Sequence, residues 1–158
     1  GMQSHYFEHF MEGLCDAQGV KLSDCFANSF CLSADVSNAF DPNWPETCDK
    51  RNNSQLNYGV AICKYTGSRG KGGASDASAE AMGHVRSTLD KAGVIWQIAT
   101  LGKVDQGGGG TVAAYMANRN IVTVDAGVPV LSMHAPLELV SKLDCYETML
   151  ACKAIYLA

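Results

Sequence analysis

Short apolar runs alternate along this chain with stretches whose apolar residues recur every three or four positions, and that alternation most limits how it can fold. "NSFCLSAD", "YGVAICKY", "VIWQIATL", "IVTVD" and "VPVLSM" have the length and composition of buried strands. Helical spacing joins Phe7, Phe10, Met11 and Leu14, with Gly19 as a stop, and Met82, Val85 and Leu89, with Ser75 or Asp76 as cap and Gly93 as a stop. "VAAYMANRN" predicts a short helix, and a last helix is expected from near Pro136, with Leu139, Leu143, Tyr146 and Leu150 on one face. Ala126-Gly127 is expected to separate the last two strands, and "NAFDPNWPETCDKRNNSQ" reads as a loop. Strands alternating with helices predict a mainly parallel sheet covered on both faces, a three-layer α/β/α fold. With 158 residues and no internal repeat or linker, residues 1–158 are expected to form one unit.

A formal net charge of −4 argues against a nucleic-acid surface. No apolar run reaches the roughly 18 residues that a membrane helix needs, so neither nucleic acid nor a membrane is an expected partner. The 7 cysteines are odd in number, scattered and never spaced C-x-x-C. They fit a reduced, cytoplasmic protein that uses them as small apolar fillers better than a disulfide scaffold or a cysteine zinc site.

Several motifs invite chemistry. "SHYFEHF" places His5, Glu8 and His9 in the order H-x-x-E-H, the spacing of an inverted zinc-protease helix. It lies close to the first residue, where helices fray, and the apolar stripe containing Phe7 and Phe10 points away from His5. Two solvated histidines are the expected reading. Gly102 and Gly107 give the glycine spacing of a P-loop, but Gly108 and Gly109 stand where Lys and Ser or Thr are required, which excludes a nucleoside triphosphatase. Successive glycines before a helix could still offer N–H groups to an anion or a developing oxyanion, or could form a flexible connector. Arg69 and Lys71 make a basic turn without a neighbouring aromatic for base stacking, as in a solvated loop.

Asp35 and His134 each follow an apolar strand, at the edge where ligands bind in open α/β sheets. A carboxylate and an imidazole there suit metal ligation; a surface aspartate and a capped histidine are the alternative.

At these residues the sequence resembles a known family. "LSADVSNAFDPNWPE", "YTGSRGKGGASDASAE", "LGKVDQGGGGTVAAYMANRN" and "VDAGVPVLSMHAPLELVSKLD" are together similar to the aspartyl and vacuolar aminopeptidases, exopeptidases with two zinc ions in a shared site. The resemblance implies the carboxyl-terminal portion of a phosphorylase/hydrolase-like zinc-peptidase domain. It implies that Asp35 ligates one zinc and His134 the other. It places Gly107, Gly108, Gly109, Gly110 and Thr111 beside the substrate, and Lys64 and the Arg69 to Lys71 turn among basic positions near the pocket. Peptide substrates, acidic ones among them, and a homo-oligomer follow as expectations, and His5 falls on a structural helix.

The same resemblance implies that further ligands, a bridging aspartate and a Glu-Glu pair with the general base lie on another part of the family's longer chains. No His-x-Asp and no Glu-Glu occurs in this sequence. With one side chain per metal and no bridge, the chain is expected to be inactive alone and to retain no zinc. The alternative is a self-associating scaffold without catalysis, favoured by the sheet edge that the absent strands would leave uncovered.

Overall fold

The computed structural model describes residues 1–158 apart from Gly70, Lys71, Ala74 and Val104. Helix α1 covers Tyr6–Gln18, and Gly19 ends it at φ 68°, the left-handed conformation that glycine adopts without a steric cost. Helix α2, Leu22–Ala27, is too short to announce itself by periodicity. It packs on α1 through a stacked Phe7–Phe26 pair, centroids 5.7 Å apart.

Strands β1 (Phe30–Ser33), β3 (Val60–Cys63), β4 (Trp96–Ala99) and β5 (Val122–Gly127) form one sheet in the order β1-β5-β3-β4; β2 (Ser37–Asn38), β6 (Pro129–Leu131) and β7 (Leu139–Val140) form a smaller one in the order β2-β6-β7. In the larger sheet β1–β5 and β3–β4 are parallel pairs, joined by an antiparallel β3–β5 pair. The sheet is therefore mixed, with parallel pairs in the majority. Helix α3 is Ala79–Lys91, α4 Ala113–Ala117 and α5 Lys142–Tyr156.

Period-2 alternation decides the core. Val60, Ile62, Val124 and Ala126 face Ala81, Val85 and Leu89 of α3 and Ala151 of α5. Each branched side chain so buried contributes about 1.5–3 kcal/mol. The opposite face carries the smaller Ala61, Cys63 and Ala99. Ser37 of β2 reaches Cys63 on that side, Oγ to Sγ 3.6 Å. Helix α4 packs on β5 and β1 without joining the large core, so helices lie on both sides of the sheet.

Three expectations are corrected. The cap of α3 is Ser78, whose Oγ accepts a hydrogen bond from Ala81 N at 3.1 Å; Ser75 and Asp76 lie before the helix. Ala126-Gly127 does not separate two strands: β5 runs through both residues, because Ala126 and Gly127 still pair with Ile62 and Ala61. The last helix begins after Ser141 rather than near Pro136, because Leu139 and Val140 pair with Leu131 and Val130 as β7.

Candidate metal centre

Asp35 stands two residues past β1, held by its own turn: Val36 N donates to its Oδ1 at 2.8 Å. Its backbone lies flat on β5, where the absence of a side chain at Gly127 makes room for the Asp35 carbonyl. His134 follows β6 and has φ 66°, a left-handed backbone that few non-glycine residues adopt. Its N–H donates to Glu138 Oε1 at 2.5 Å, which anchors the strained turn. Strain of this kind gathers where a side chain is being aimed.

Both residues open into one cleft of about 350 Å³, with Gly108, Gly109, Gly110 and Thr111 along another wall. The glycine loop is fixed rather than slack. Gly108 has φ 96°, and a Cβ on it would meet the Gly67 carbonyl oxygen at 2.3 Å, so only glycine fits between that loop and the next. Gly107 lines a small adjoining cavity with Tyr65 and Lys103 rather than the cleft itself. Its carbonyl accepts from Arg69 N at 3.0 Å.

Lys64 is not brought to the cleft. Its Nζ lies 2.5 Å from Asp76 Oδ1 and donates to the Ala77 carbonyl at 2.9 Å, so its charge is spent on tying β3 to the segment before α3. Lys71 of the basic turn falls outside the described residues. His5 and His9 are exposed. Glu8 is shared between His5 Nδ1 at 3.1 Å and Arg119 Nε at 2.6 Å, which holds α1 to the end of α4.

One carboxylate beneath the cleft escaped the sequence reading. Asp125, on β5, is buried. Its Oδ1 accepts from Thr111 Oγ1 at 2.8 Å and its Oδ2 from Thr66 Oγ1 at 3.3 Å, while the two hydroxyls lie 3.2 Å apart. Burial pushes the Asp125 carboxyl above the usual carboxylate range. Hydrogen bonds from Ser33, Thr111 and Thr66 pull it down, and the nearby Asp35 carboxylate adds to the upward push. Cys63 lines the same small space; burial pushes its thiol up to about 11, so it is not a ready nucleophile. The pattern "IVTVD" held the signal for Asp125, since alternation puts Thr123 and Asp125 on one side of a strand whose other residues are apolar.

A carboxyl raised on folding contributes stability that is fully present below its unfolded value, near 3.8, and is lost as pH climbs through the folded value. Asp125→Asn removes that loss. Its cost in stability is therefore expected to be smaller at pH 7 than at pH 4 when urea midpoints are compared. A cost that grows with pH would show that the hydroxyls outweigh burial.

The donor set does not by itself fit a zinc site. One carboxylate and one imidazole share the cleft, and among the described residues no three His, Cys, Asp or Glu side chains are grouped to hold a metal. A catalytic zinc takes three protein ligands plus water.

The family described as aminopeptidase I zinc metalloprotease (M18) matches residues 1–156. The chain belongs to the M18 peptidase family. A probable M18 family aminopeptidase 1 of Clostridium acetobutylicum is 50% identical over 152 residues, 94% of this chain and 33% of that protein. The crystal structure of an M18 aminopeptidase from Thermotoga maritima superposes with a TM-score of 0.93 at 41% identity, covering 98% of this chain and 36% of that one. The S. cerevisiae mApe1 dodecamer shares the fold at TM-score 0.78 and 24% identity, over 99% of this chain and 34% of that one. The chain thus spans about a third of the length of the curated relatives it matches.

Proposed function

We propose that this chain supplies part of the active site of a zinc aminopeptidase, acting on peptides only when the portion of the M18 domain outside these residues completes the metal centre. Asp35 ligates one zinc and His134 the other, and Gly108, Gly109, Gly110 and Thr111 form the wall along which the peptide lies. What carries the reading is the convergence of Asp35 and His134, distant in sequence, on one cleft walled by the glycine loop. The remaining ligands, the bridge between the metals and the general base come from the portion of the domain outside these residues, so zinc is not retained by this chain alone. Free cysteines throughout suit a reducing compartment, and we place the protein in the cytoplasm.

The test measures zinc content and hydrolysis of amino-acid p-nitroanilides, with this chain alone and with this chain co-expressed beside the part of the Clostridium acetobutylicum relative that it does not match. The chain alone is expected to hold well under one zinc and to show no turnover. The co-expressed pair is expected to gain both, and Asp35→Ala or His134→Ala in the pair to cut kcat/KM by about 100-fold or more. Turnover by the chain alone would overturn the reading.

Self-association is the second reading, favoured by a run of large exposed side chains: Leu137, Leu139, Leu143 and Tyr146 are each more than half exposed. Such a surface suits contact between copies of this chain.

A further inference from the structure

Beside the cleft, the glycine-rich loops after β3 and after β4 touch backbone to backbone. Gly108 fits against the Gly67 carbonyl, the Gly107 carbonyl accepts from Arg69 N at 3.0 Å, and a Cβ on Gly110 would lie 3.7 Å from the Gly73 carbonyl oxygen. Contacts of this kind hold the loops to each other but not to the sheet. Gly107, Gly108, Gly109 and Gly110 have no side chains with which to reach it, so the fastening falls to residues that flank the glycines.

Thr66 and Thr111 are those residues, and both end on one carboxylate. The Thr111 hydroxyl donates to Asp125 Oδ1 at 2.8 Å and the Thr66 hydroxyl to Oδ2 at 3.3 Å, one loop on each oxygen. The carboxylate is rigidly placed. Asp125 is 6% exposed, in register with Ser33 of β1 on one side and Cys63 of β3 on the other. β5 is thus paired along both sides, and the anchor does not follow a loop that moves. Thr111 also lines the cleft. Because its hydroxyl is committed to Asp125, the wall offers a bound peptide main chain: the N–H groups of Gly109, Gly110 and Thr111 have no protein acceptor among the described residues. A shift of the wall by about 1 Å would stretch a bond to such a group from about 2.9 Å to about 3.9 Å, beyond hydrogen-bond length.

Resting on the reading above, we infer that Asp125 is a positioning residue for the peptide: through the hydroxyls of Thr66 and Thr111 it sets the height of the glycine wall, and with it the strength of substrate binding. It acts through the two threonines rather than by contact with the substrate.

The test has two arms. In the first, this chain is joined in one polypeptide to the portion of the M18 domain that the Clostridium acetobutylicum relative supplies. Zinc content is measured, and hydrolysis of tetrapeptides that begin with leucine or aspartate is followed. Asp125→Ala is expected to raise KM about tenfold or more, with kcat within about twofold and zinc content unchanged, the pattern of lost uniform binding. Asp125→Asn keeps an acceptor for one hydroxyl and is expected to recover most of the loss. Thr111→Val is expected to raise KM about three- to tenfold, and to add little to Asp125→Ala because both remove the same bond. Thr123→Val is the control. It is buried on the same strand, but its hydroxyl bonds to the Ile121 carbonyl at 2.9 Å, and KM is expected not to change.

In the second arm, amide exchange on this chain alone reads the fastening directly. In Asp125→Ala, Thr66→Val or Thr111→Val, the amides of Arg69 and Gly107 are expected to exchange about tenfold faster, a larger factor than at Val85 and Leu89 of α3, which report global unfolding. A parent-like KM in Asp125→Ala overturns the inference, as does a fall in kcat and zinc at unchanged KM, the mark of a structural role alone. Equal acceleration of all four amides also overturns it. Should Asp125→Ala fail to fold, the isosteric threonine variants carry the same comparisons. Failure of the functional reading looks different: the joined parent holds no zinc and has no turnover, while Arg69 and Gly107 still respond to the variants and uphold the fastening.

Discussion

Gly127→Ala is expected to lower the unfolding free energy by about 3 kcal/mol or more, among the largest effects a single methyl can have. A Cβ at Gly127 would stand 1.3 Å from the Asp35 carbonyl oxygen and 2.4 Å from its carbonyl carbon. Both atoms are backbone, so no rotamer relieves the clash. β5 is held between β1 and β3, and the segment around Asp35 must give way instead. The variant therefore also moves Asp35 away from the cleft. Urea titration should show a lower midpoint with little change in slope. The control is Gly13→Ala inside α1, where a Cβ meets nothing within 4 Å; it is expected to raise stability by about 1 kcal/mol. Similar small effects at both positions would mean that the Asp35 carbonyl does not rest on β5.

The same glycine shows what could and could not be read from the sequence. "Ala-Gly" between two apolar runs looks like a break, because small residues usually mark turns. Here the reason for glycine is a neighbour from elsewhere in the chain, which a linear reading does not contain. α1 and the cores of β1, β3, β4 and β5 were legible because each is decided by local period and burial: Gly19 ends α1, and Val60 and Ile62 alternate as a buried strand must. β2 and β7, each of two residues, exist only through their pairing with β6. Nothing in their own composition announces them.

At the cleft the division is similar. Asp35 and His134 were visible because each is a chemistry-bearing residue just past an apolar strand, and the glycine loop because its composition is so skewed. That Gly107 lines a neighbouring cavity rather than the cleft, and that Lys64 spends its charge on Asp76, depend on contacts across the fold. Asp125 was hidden in a strand read only for its apolar residues. It ties Thr66 and Thr111, and so both glycine-rich loops, to β5.

Helix α5 gives the clearest reversal and the second large prediction. Leu139, Leu143, Tyr146 and Leu150 were expected on one face of it; Leu150 packs against the core, yet Leu143 is 65% exposed and Tyr146 55%. The face turned inward instead carries Asp144, fully buried, and Ala151, with Thr148 between them. A buried carboxylate is tolerated when its oxygens are satisfied. Asp144 Oδ1 accepts from Gly59 N at 2.9 Å and Oδ2 from Asn57 N at 2.8 Å. Asn57 has φ 68° and Gly59 φ 83°, and Ser141 Oγ reaches Asn57 Oδ1 at 2.6 Å. One side chain thus holds the strained entry to β3 against the first turn of α5. Asp144→Ala leaves the buried Gly59 N without an acceptor, at about 1–3 kcal/mol, removes the bond to the more exposed Asn57 N, and opens a small cavity. A loss of about 2–4 kcal/mol is expected, a large share of the stability of an ordinary domain. Asp144→Asn keeps one acceptor and should recover about half of it. Differential scanning calorimetry of both variants checks the order, and an alanine variant as stable as the parent would show that Asn57 and Gly59 find water instead.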